Sequence, residues 1–394
     1  MKNTNPKAGK IIRLMIIGAV AAAGAAMFIA VARTKFLPTS YLAALAGILT
    51  VLGGAIALAV GGRKRFFSHV GSFLAVLYVF TALSGCGMAT QAKEAVEAAI
   101  TPSPTLSPSA TPAPTPTSTP EPTAEPTPEP DFPRVFTIFV SGIDSRDGLV
   151  DKSFSDVNTL FVVNRDTHQV LVVATPRDAF VPLSISDGVR DKLTHSGQHG
   201  IDVQVDTMEM LYDIDIDYWF RLDFQGFKKI IDTLGGVTVH SDYTFTAYNG
   251  TEFTEGENTL DGEKALCFAR ERKAFSDGDI QRGRDQFQLI SAMIDKILSP
   301  DMLGNYSELL DAMEGCFETT IPYDLLADLV RTQLAESPEW NVVPFQMTGT
   351  SDYQVTYRYP DRGELYVLQL SDEDMDTAKT MMADVREGKI LERP

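Results

Sequence analysis

The chain has 394 residues, a hydrophobic content of 44% and a formal charge of −18. That length exceeds a single small domain, and the apolar content excludes a disordered chain. The acid excess excludes sequence-independent nucleic-acid binding, which needs a basic surface.

The acid is unevenly placed, because the first hundred residues carry only Glu94 and Glu97. Three apolar stretches occupy this region, Ile11–Ala32, Tyr41–Gly61 and Phe66–Ser84, each near the roughly 20 residues a helix needs to cross a bilayer. Lys2, Lys7, Lys10 and Arg13 precede the first, and Arg63, Lys64 and Arg65 separate the second from the third. Only Arg33 and Lys35 lie between the first and second. The positive-inside rule therefore places the N-terminus in the cytoplasm and everything beyond the third span outside. Leu83-Ser84-Gly85-Cys86 has the form of a lipoprotein signal, but it closes a third apolar segment and reads as small residues ending a helix. A multi-pass anchor over 1–86 is expected.

Residues 87–131 form a linker, whose tract Thr101–Pro130 holds half of the chain's prolines. Such spacing favours extended polyproline II and supports no core. From Phe132 the pattern becomes α/β. Val135–Val140 predicts a central strand, and Val157–Val163 with Gln169–Ala174 predict a hairpin around Asn164–His168. Helices are predicted over Ile201–Asp213, Phe224–Leu234, Leu260–Phe268 and Ile280–Leu298, with short strands at Tyr218–Leu222 and Val237–Val239. In the last helix, Ile280, Phe287, Ile290, Ile294 and Ile297 are expected to face the core. Residues 299–394 alternate helix and strand signals and are expected to pack on the 132–298 domain as an extension.

Charged groups collect at the ends of these apolar elements. Asp144 and Asp156 lie twelve residues apart, one after a predicted strand and one before the next. Two such carboxylates suit Mg²⁺, which keeps water and substrate oxygens in its shell. Arg146 and Arg177 also fall at strand ends, and Asp178 adjoins Arg177. Arg270 and Arg272 are at i, i+2 and would point together only in an extended segment, which is expected there. Arg282 and Gln286 share one helical face, and Asp277 and Asp279 would cap that helix. Arginines for a polyanion beside carboxylates for a cation describe a phosphate site. His195 reads as a helix-entrance residue, with Lys192 able to add charge nearby. Cys86, Cys267 and Cys316 match no metal or disulfide framework and read as free thiols, with a 267–316 pair left open.

The motifs GIDSR, SDVNT, ATPRDAFV, KLTHSGQHG, LDGEKALCFARERK and DGDIQRGRDQ, with the stretch Ile214–Val239, occur in order between Val135 and Leu298. In this the chain resembles the LytR-CpsA-Psr (LCP) family of extracytoplasmic cell-wall enzymes. The resemblance implies an α-β-α domain with a central mixed sheet and a Mg²⁺-dependent phosphotransferase. Such an enzyme moves an anionic glycopolymer, a teichoic acid or capsule-like polysaccharide, from an undecaprenyl-pyrophosphate carrier to the muramic acid 6-hydroxyl of peptidoglycan. Asp144 and Asp156 match its metal-binding aspartates, one of which would be the general base. Arg146, Arg177, Arg272 and Arg282 match its pyrophosphate-binding arginines, with Arg270 and Gln286 adjoining. Phe154 stands where the family often has arginine, and Asp285-Gln286-Phe287 replaces its Arg-Gln-Gln. The polyprenyl tail would need an apolar groove. Two other functions compete, a polyprenyl-pyrophosphate hydrolase using water as acceptor and a non-catalytic wall-binding adaptor.

Overall fold

The computed structural model describes residues 6–35, 37, 39–61, isolated positions between 74 and 93, 132–145, 152–275, 278–297, 299 and 317–392. Two helices come first, α1 (Pro6–Arg33) and α2 (Thr39–Gly61). Within α1, Met15–Arg33 has a mean hydropathy of 2.3 and is long and apolar enough to cross a membrane. Among the described residues no other helix meets that test, Tyr41–Ile56 of α2 being a shorter apolar run. Most of the expected third span lies outside the described residues, although Ala75 and Tyr78 from it pack against Val20 and Ile56. The proline-rich tract also lies outside them.

The domain opens with an antiparallel meander, β1 (Val135–Ile143), β2 (Ser155–Asn164) and β3 (Gln169–Ala174). Its hairpin closes because the Asn164 side chain accepts from the amides of Asp166 and Thr167 at 3.0 and 3.2 Å. A short hairpin follows, β4 (Phe180–Pro182) with β5 (Arg190–Lys192), and then a 3-10 helix over Leu193–His199. Next come α3 (Ile201–Tyr212), β6 (Tyr218–Asp223) and α4 (Phe224–Thr233). Asp223 caps α4 by accepting from Gly226 N at 2.6 Å, and Gly235 and Gly236 stop it at φ +74 and +86. The strands β7 (Val237–Ser241), β8 (Phe245–Thr246), β9 (Glu252–Phe253) and β10 (Gly256–Leu260) lead to α5 (Gly262–Arg270) and α6 (Gly278–Ile297). The last elements are β11 (Phe317–Thr319), α7 (Tyr323–Glu336), β12 (Asn341–Gln346), the β13 (Gly349–Gln354)–β14 (Leu365–Leu370) hairpin and α8 (Asp372–Arg386).

Six strands make one mixed sheet in the order β11-β6-β1-β2-β3-β12. The pairs β1–β6 and β3–β12 are parallel and the others antiparallel. Both edge strands come from beyond residue 298, so the sheet crosses the boundary expected there. Residues 317–346 complete the domain rather than decorate it. A second correction concerns the helix expected from Leu260. Its first residue, Leu260, ends β10, and Asp261 caps α5 by accepting from Lys264 N at 2.8 Å.

The two faces of the sheet are covered unequally. On one, Phe139, Leu160, Val162, Leu171, Val173 and Val343 are almost wholly buried against α3 and α8. On the other, α4, α5 and α6 stand over β1, β2 and β6 and leave open volume beneath them. The apolar runs of β1 and β2 are therefore apolar on both faces, as a covered sheet requires; on the second face α7 fills the space around Phe136 and Val163, and the hollow lies beyond it.

The β1–β2 ladder has an irregularity between Gly142 and Ile143, with Gly142 opposite Val157 and Ile143 opposite Ser155. Asp156 is the extra residue, and a bulge of this kind re-aims a side chain at a sheet end. Gly197 of the 3-10 helix buttresses it. A Cβ at that position would sit 2.3 Å from Ser153 O and 2.9 Å from Ser155 N, both backbone atoms. Gly197→Ala is therefore expected to force the 3-10 helix away from the start of β2. The cost is about 1–3 kcal/mol, as for other overpacked sites, measurable as a lower urea midpoint.

Candidate functional site

The carboxyl end of the sheet gathers the charged groups. Asp156 is 8% exposed, and its Oδ1 accepts from Arg177 at 2.5 Å. Arg282 of α6, equally buried, donates from its guanidinium to the Asp156 carbonyl oxygen at 2.7 Å. Helix α6 and the bulged strand are thus joined through one residue, at its carboxylate and its backbone together. Arg177 also lies 3.5 Å from Asp178.

Asp178 is the electrostatic hub. It is nearly buried and faces Lys192 at 2.9 Å, Arg177 at 3.5 Å and Arg272 at 3.6 Å. Burial by itself would raise its pKa, but the Lys192 hydrogen bond and the charges of Arg177, Lys192 and Arg272 outweigh it and hold the carboxyl below its ordinary range. The carboxylate fixes three cations from three separate segments around one centre. The adjacency of Arg177 and Asp178 suggested a local pair. The structure shows a hub instead, and only the β4–β5 hairpin, which returns Lys192 to Asp178, explains it.

The loop after α5 is held by a second buried acid, Glu271. Its Oε1 accepts from the amides of Arg272, Lys273 and Ala274, and its Oε2 from Tyr248 N. Burial works against ionisation here too, and these backbone donors more than offset it, so the pKa is lowered. This loop corrects the expectation of an extended Arg270–Arg272 segment. Arg270 closes α5, the backbone becomes extended at Glu271, and the two arginines reach different acids. Arg270 lies 3.9 Å from Asp144 and over the Phe224 ring at 4.6 Å, while Arg272 turns to Asp178.

Arg177, Arg270, Arg272, Arg282, Asp156 and Gln286 line one end of a cavity of about 540 Å³. The remaining wall is apolar apart from Asp223, the cap of α4, and includes Val140, Phe161, Phe220, Leu222, Phe227 and Met293. The stripe expected to pack the core on α6 takes a different role. Ile290, Ile294 and Ile297 line this cavity, together with the buried Leu289. Periodicity marks an apolar face and cannot tell a filled interior from a lined hollow. Gln286 donates to Ala269 O at 3.1 Å, tying α6 to α5 at the mouth.

Asp144 does not line the cavity. Its amide donates to Phe154 O at 3.1 Å, so it adjoins Asp156 across the β1–β2 end. Arg146 and Asp277 lie outside the described residues, as do Cys86 and Cys316, whereas Cys267 is buried and free. His195 sits inside the 3-10 helix, buried, with Nδ1 2.6 Å from Asp191. Among the described residues no cluster of three His, Cys, Asp or Glu side chains could hold a metal. Asp144 and Asp156 supply hard oxygen atoms at neighbouring strand ends. They fit an Mg²⁺ completed by substrate phosphate and water, not one caged by protein alone.

Residues 117–380 match the LytR_cpsA_psr family model. The chain is 34% identical over 195 residues to the polyisoprenyl-teichoic acid–peptidoglycan teichoic acid transferase TagU of Bacillus licheniformis, covering 49% of this chain and 62% of that protein. It is 31% identical over 231 residues to TagU of Bacillus subtilis strain 168, covering 58% of this chain and 74% of that one. The chain thus spans less than two thirds of the length of the first of these relatives. Among solved structures, B. subtilis TagV superposes with a TM-score of 0.54 at 24% identity, covering 66% of this chain and 99% of that one. TagT bound to LIIa-WTA superposes at 0.51 with 26% identity, over 65% and 93%.

Proposed function

The chain belongs to the LytR_cpsA_psr family, and from that membership we propose that it is a membrane-anchored phosphotransferase. In this reading it moves an anionic glycopolymer from a polyprenyl-pyrophosphate carrier to peptidoglycan. One observation carries the reading: four arginines and Asp156 border a cavity whose other lining is largely apolar. A ligand suited to that space is charged at one end and long and apolar behind, as a polyprenyl pyrophosphate is. The relatives' names, which specify polyisoprenyl-teichoic acid as donor and peptidoglycan as acceptor, support the same reading.

The residues divide the work as follows. Arg177, Arg272 and Arg282, with Arg270 at the rim, bind the diphosphate and stabilise the charge that grows on the equatorial oxygens as the acceptor attacks. Their guanidinium groups are held in place beforehand by Asp178 and by the Asp156 carbonyl, so little reorganisation accompanies reaction. Asp156 accepts the proton of the attacking hydroxyl. Asp144 and Asp156 would hold Mg²⁺, which when bound neutralises charge on the leaving phosphate. The apolar wall keeps water from the diphosphate and favours transfer over hydrolysis. The anchor is α1 together with the further apolar segments, placing the domain outside the cytoplasmic membrane as a multi-pass protein.

The product identifies the reaction. Full-length protein in vesicles, given lipid-linked polymer and peptidoglycan fragments, is expected to yield a phosphodiester conjugate by mass spectrometry. Free polymer phosphate as the main product would establish hydrolysis instead. Binding of wall polymer that is indifferent to loss of Asp156 would establish an adaptor.

A further inference from the structure

The extracytoplasmic domain meets the membrane anchor at the first turn of α7. Helix α1 ends at Arg33, and the next two residues make the contact. Lys35 Nζ lies 2.8 Å from Asp324 Oδ1, and the Tyr323 hydroxyl donates to the Thr34 carbonyl oxygen. Thr34 and Tyr323 are 8% and 6% exposed, so that hydrogen bond is shielded from water. Lys93, from the segment beyond the third apolar stretch, stands 5.7 Å from the centre of the Tyr323 ring. Lys35 also closes α1 in the left-handed conformation, at φ +59, where glycine is usual. Glycine would relieve the strain there but could not reach Asp324.

This contact lies at the end of the sheet opposite the arginines. Thr319 of β11 pairs with Phe220, and Thr320 N donates to Trp219 O at 3.1 Å, so Tyr323 follows beside the amino end of β6. Leu325 of the same turn packs with Phe136, near the start of β1. Because β1 and β6 are parallel, their amino ends lie together, and the charged groups gather at their carboxyl ends. The nine residues of β1 put about 26 Å between the two ends. The cavity runs in the same sense. Gly142, Val157 and Leu222 floor its charged part, and Phe161 and Phe220, nearer the amino end, floor its apolar part. Phe161 also packs in the cluster that α7 covers.

We propose that the first turn of α7 is a docking surface for the outer end of the membrane anchor, residues 34–35. Docking turns the apolar part of the cavity toward the bilayer and the arginines toward the wall. The use of that orientation, to take up a lipid tail-first from the membrane, rests on the transferase reading; the contact itself does not. Residues 87–131 alone would select no such pose. The Lys35 and Asp324 side chains are 50% and 42% exposed, so their pair is weak and screened by salt. The linker supplies an effective concentration on the order of millimolar. A contact of millimolar strength is then half formed, and salt shifts it. Topology agrees with the contact, because three spans bring residues 34–35, Lys93 and the domain out on one side of the membrane. Two spans would separate residues 34–35 from the domain.

The test uses the full chain in lipid vesicles. A carbodiimide couples an amine to a carboxylate where the two touch, and is expected to give a Lys35–Asp324 cross-linked peptide by mass spectrometry, with less of it at high salt. For a second readout, Ile390→Cys carries a donor dye, Cys86 and Cys316 are replaced by serine, and the lipid headgroups carry the acceptor. Residue 390 is 64% exposed, and its neighbours Lys389 and Leu391 bond Gln169 at the anchor end of the sheet. Resonance energy transfer is expected to fall about twofold in Lys35→Glu and in Asp324→Lys, and to recover when the two are combined. Lys35→Glu leaves the domain's own sequence intact, so a folding defect in Asp324→Lys decides nothing alone. Absence of the cross-linked peptide, energy transfer unchanged in both single variants, or no recovery in the double variant would each overturn the docking. Neither readout involves polymer transfer, so docking stands or falls apart from the transferase reading. In vesicles that also hold lipid-linked polymer, Lys35→Glu is expected to raise the donor KM severalfold with kcat unchanged. A donor KM within about twofold of wild type, with docking lost, would overturn the role in lipid uptake.

Discussion

Arg177→Ala is expected to lower kcat/KM for polymer transfer by about 10³-fold or more, with a folded domain by circular dichroism. Arg177 is in contact with both Asp156 and Asp178. Its loss removes a charge from the diphosphate and frees the carboxylate that would accept the acceptor's proton. Arg177→Lys separates these effects, because an ammonium keeps the charge and loses the planar fork. The lysine variant is expected to recover only a small part of the activity. Asp156→Ala should be as severe and should leave donor binding largely intact, since the arginines remain. Single-turnover transfer with saturating donor, alongside donor affinity, distinguishes the two variants. Activity within threefold of wild type in either would remove that residue from the site.

How much of this was legible in the sequence depends on the distance over which each feature is determined. The meander β1–β2–β3 was readable because its apolar runs and the Asn164 turn are local. So was the stop of α4 at Gly235-Gly236. The edge strands β11 and β12 were not, being three and six residues long and completing the sheet only through pairs such as Phe317 with Leu222 and Val343 with Leu171. Arg177, Arg272 and Arg282 could be nominated because charge beside strand and helix ends is uncommon without a purpose. What joins them could not. Asp178 looks like a neighbour of Arg177 until the hairpin returns Lys192 to it. The cavity was invisible for a related reason: Phe220, Leu222 and Ile294 would have the same sequence pattern whether covered by side chains or by a ligand. Only burial separates the two.

Asp178→Asn carries the second large effect, and it is on stability as well as on activity. The side chain is 5% exposed, whereas its partners Lys192, Arg177 and Arg272 are 15%, 30% and 35% exposed. Neutralising the acid leaves three cations facing one another with no central charge. Because those cations can partly rehydrate, the cost should fall at or somewhat below the usual range for breaking a buried pair, about 2–4 kcal/mol. The sign of its pH dependence follows from the lowered pKa. Unfolded, the carboxyl titrates near its ordinary 3.8, and in the folded chain it titrates lower. Its ionic contribution is therefore complete above 3.8 and disappears as pH falls through the folded value. Urea unfolding of wild type and variant should differ by a constant amount between about pH 5 and 7, roughly one to three units above that carboxyl value. The gap should narrow below pH 3.8. Glu271, whose pKa is lowered in the same direction, is present in both proteins and cancels in the comparison. A gap that widened on acidification would mean that Asp178 is protonated in the native protein, and the three cations would then need another anion to hold them together.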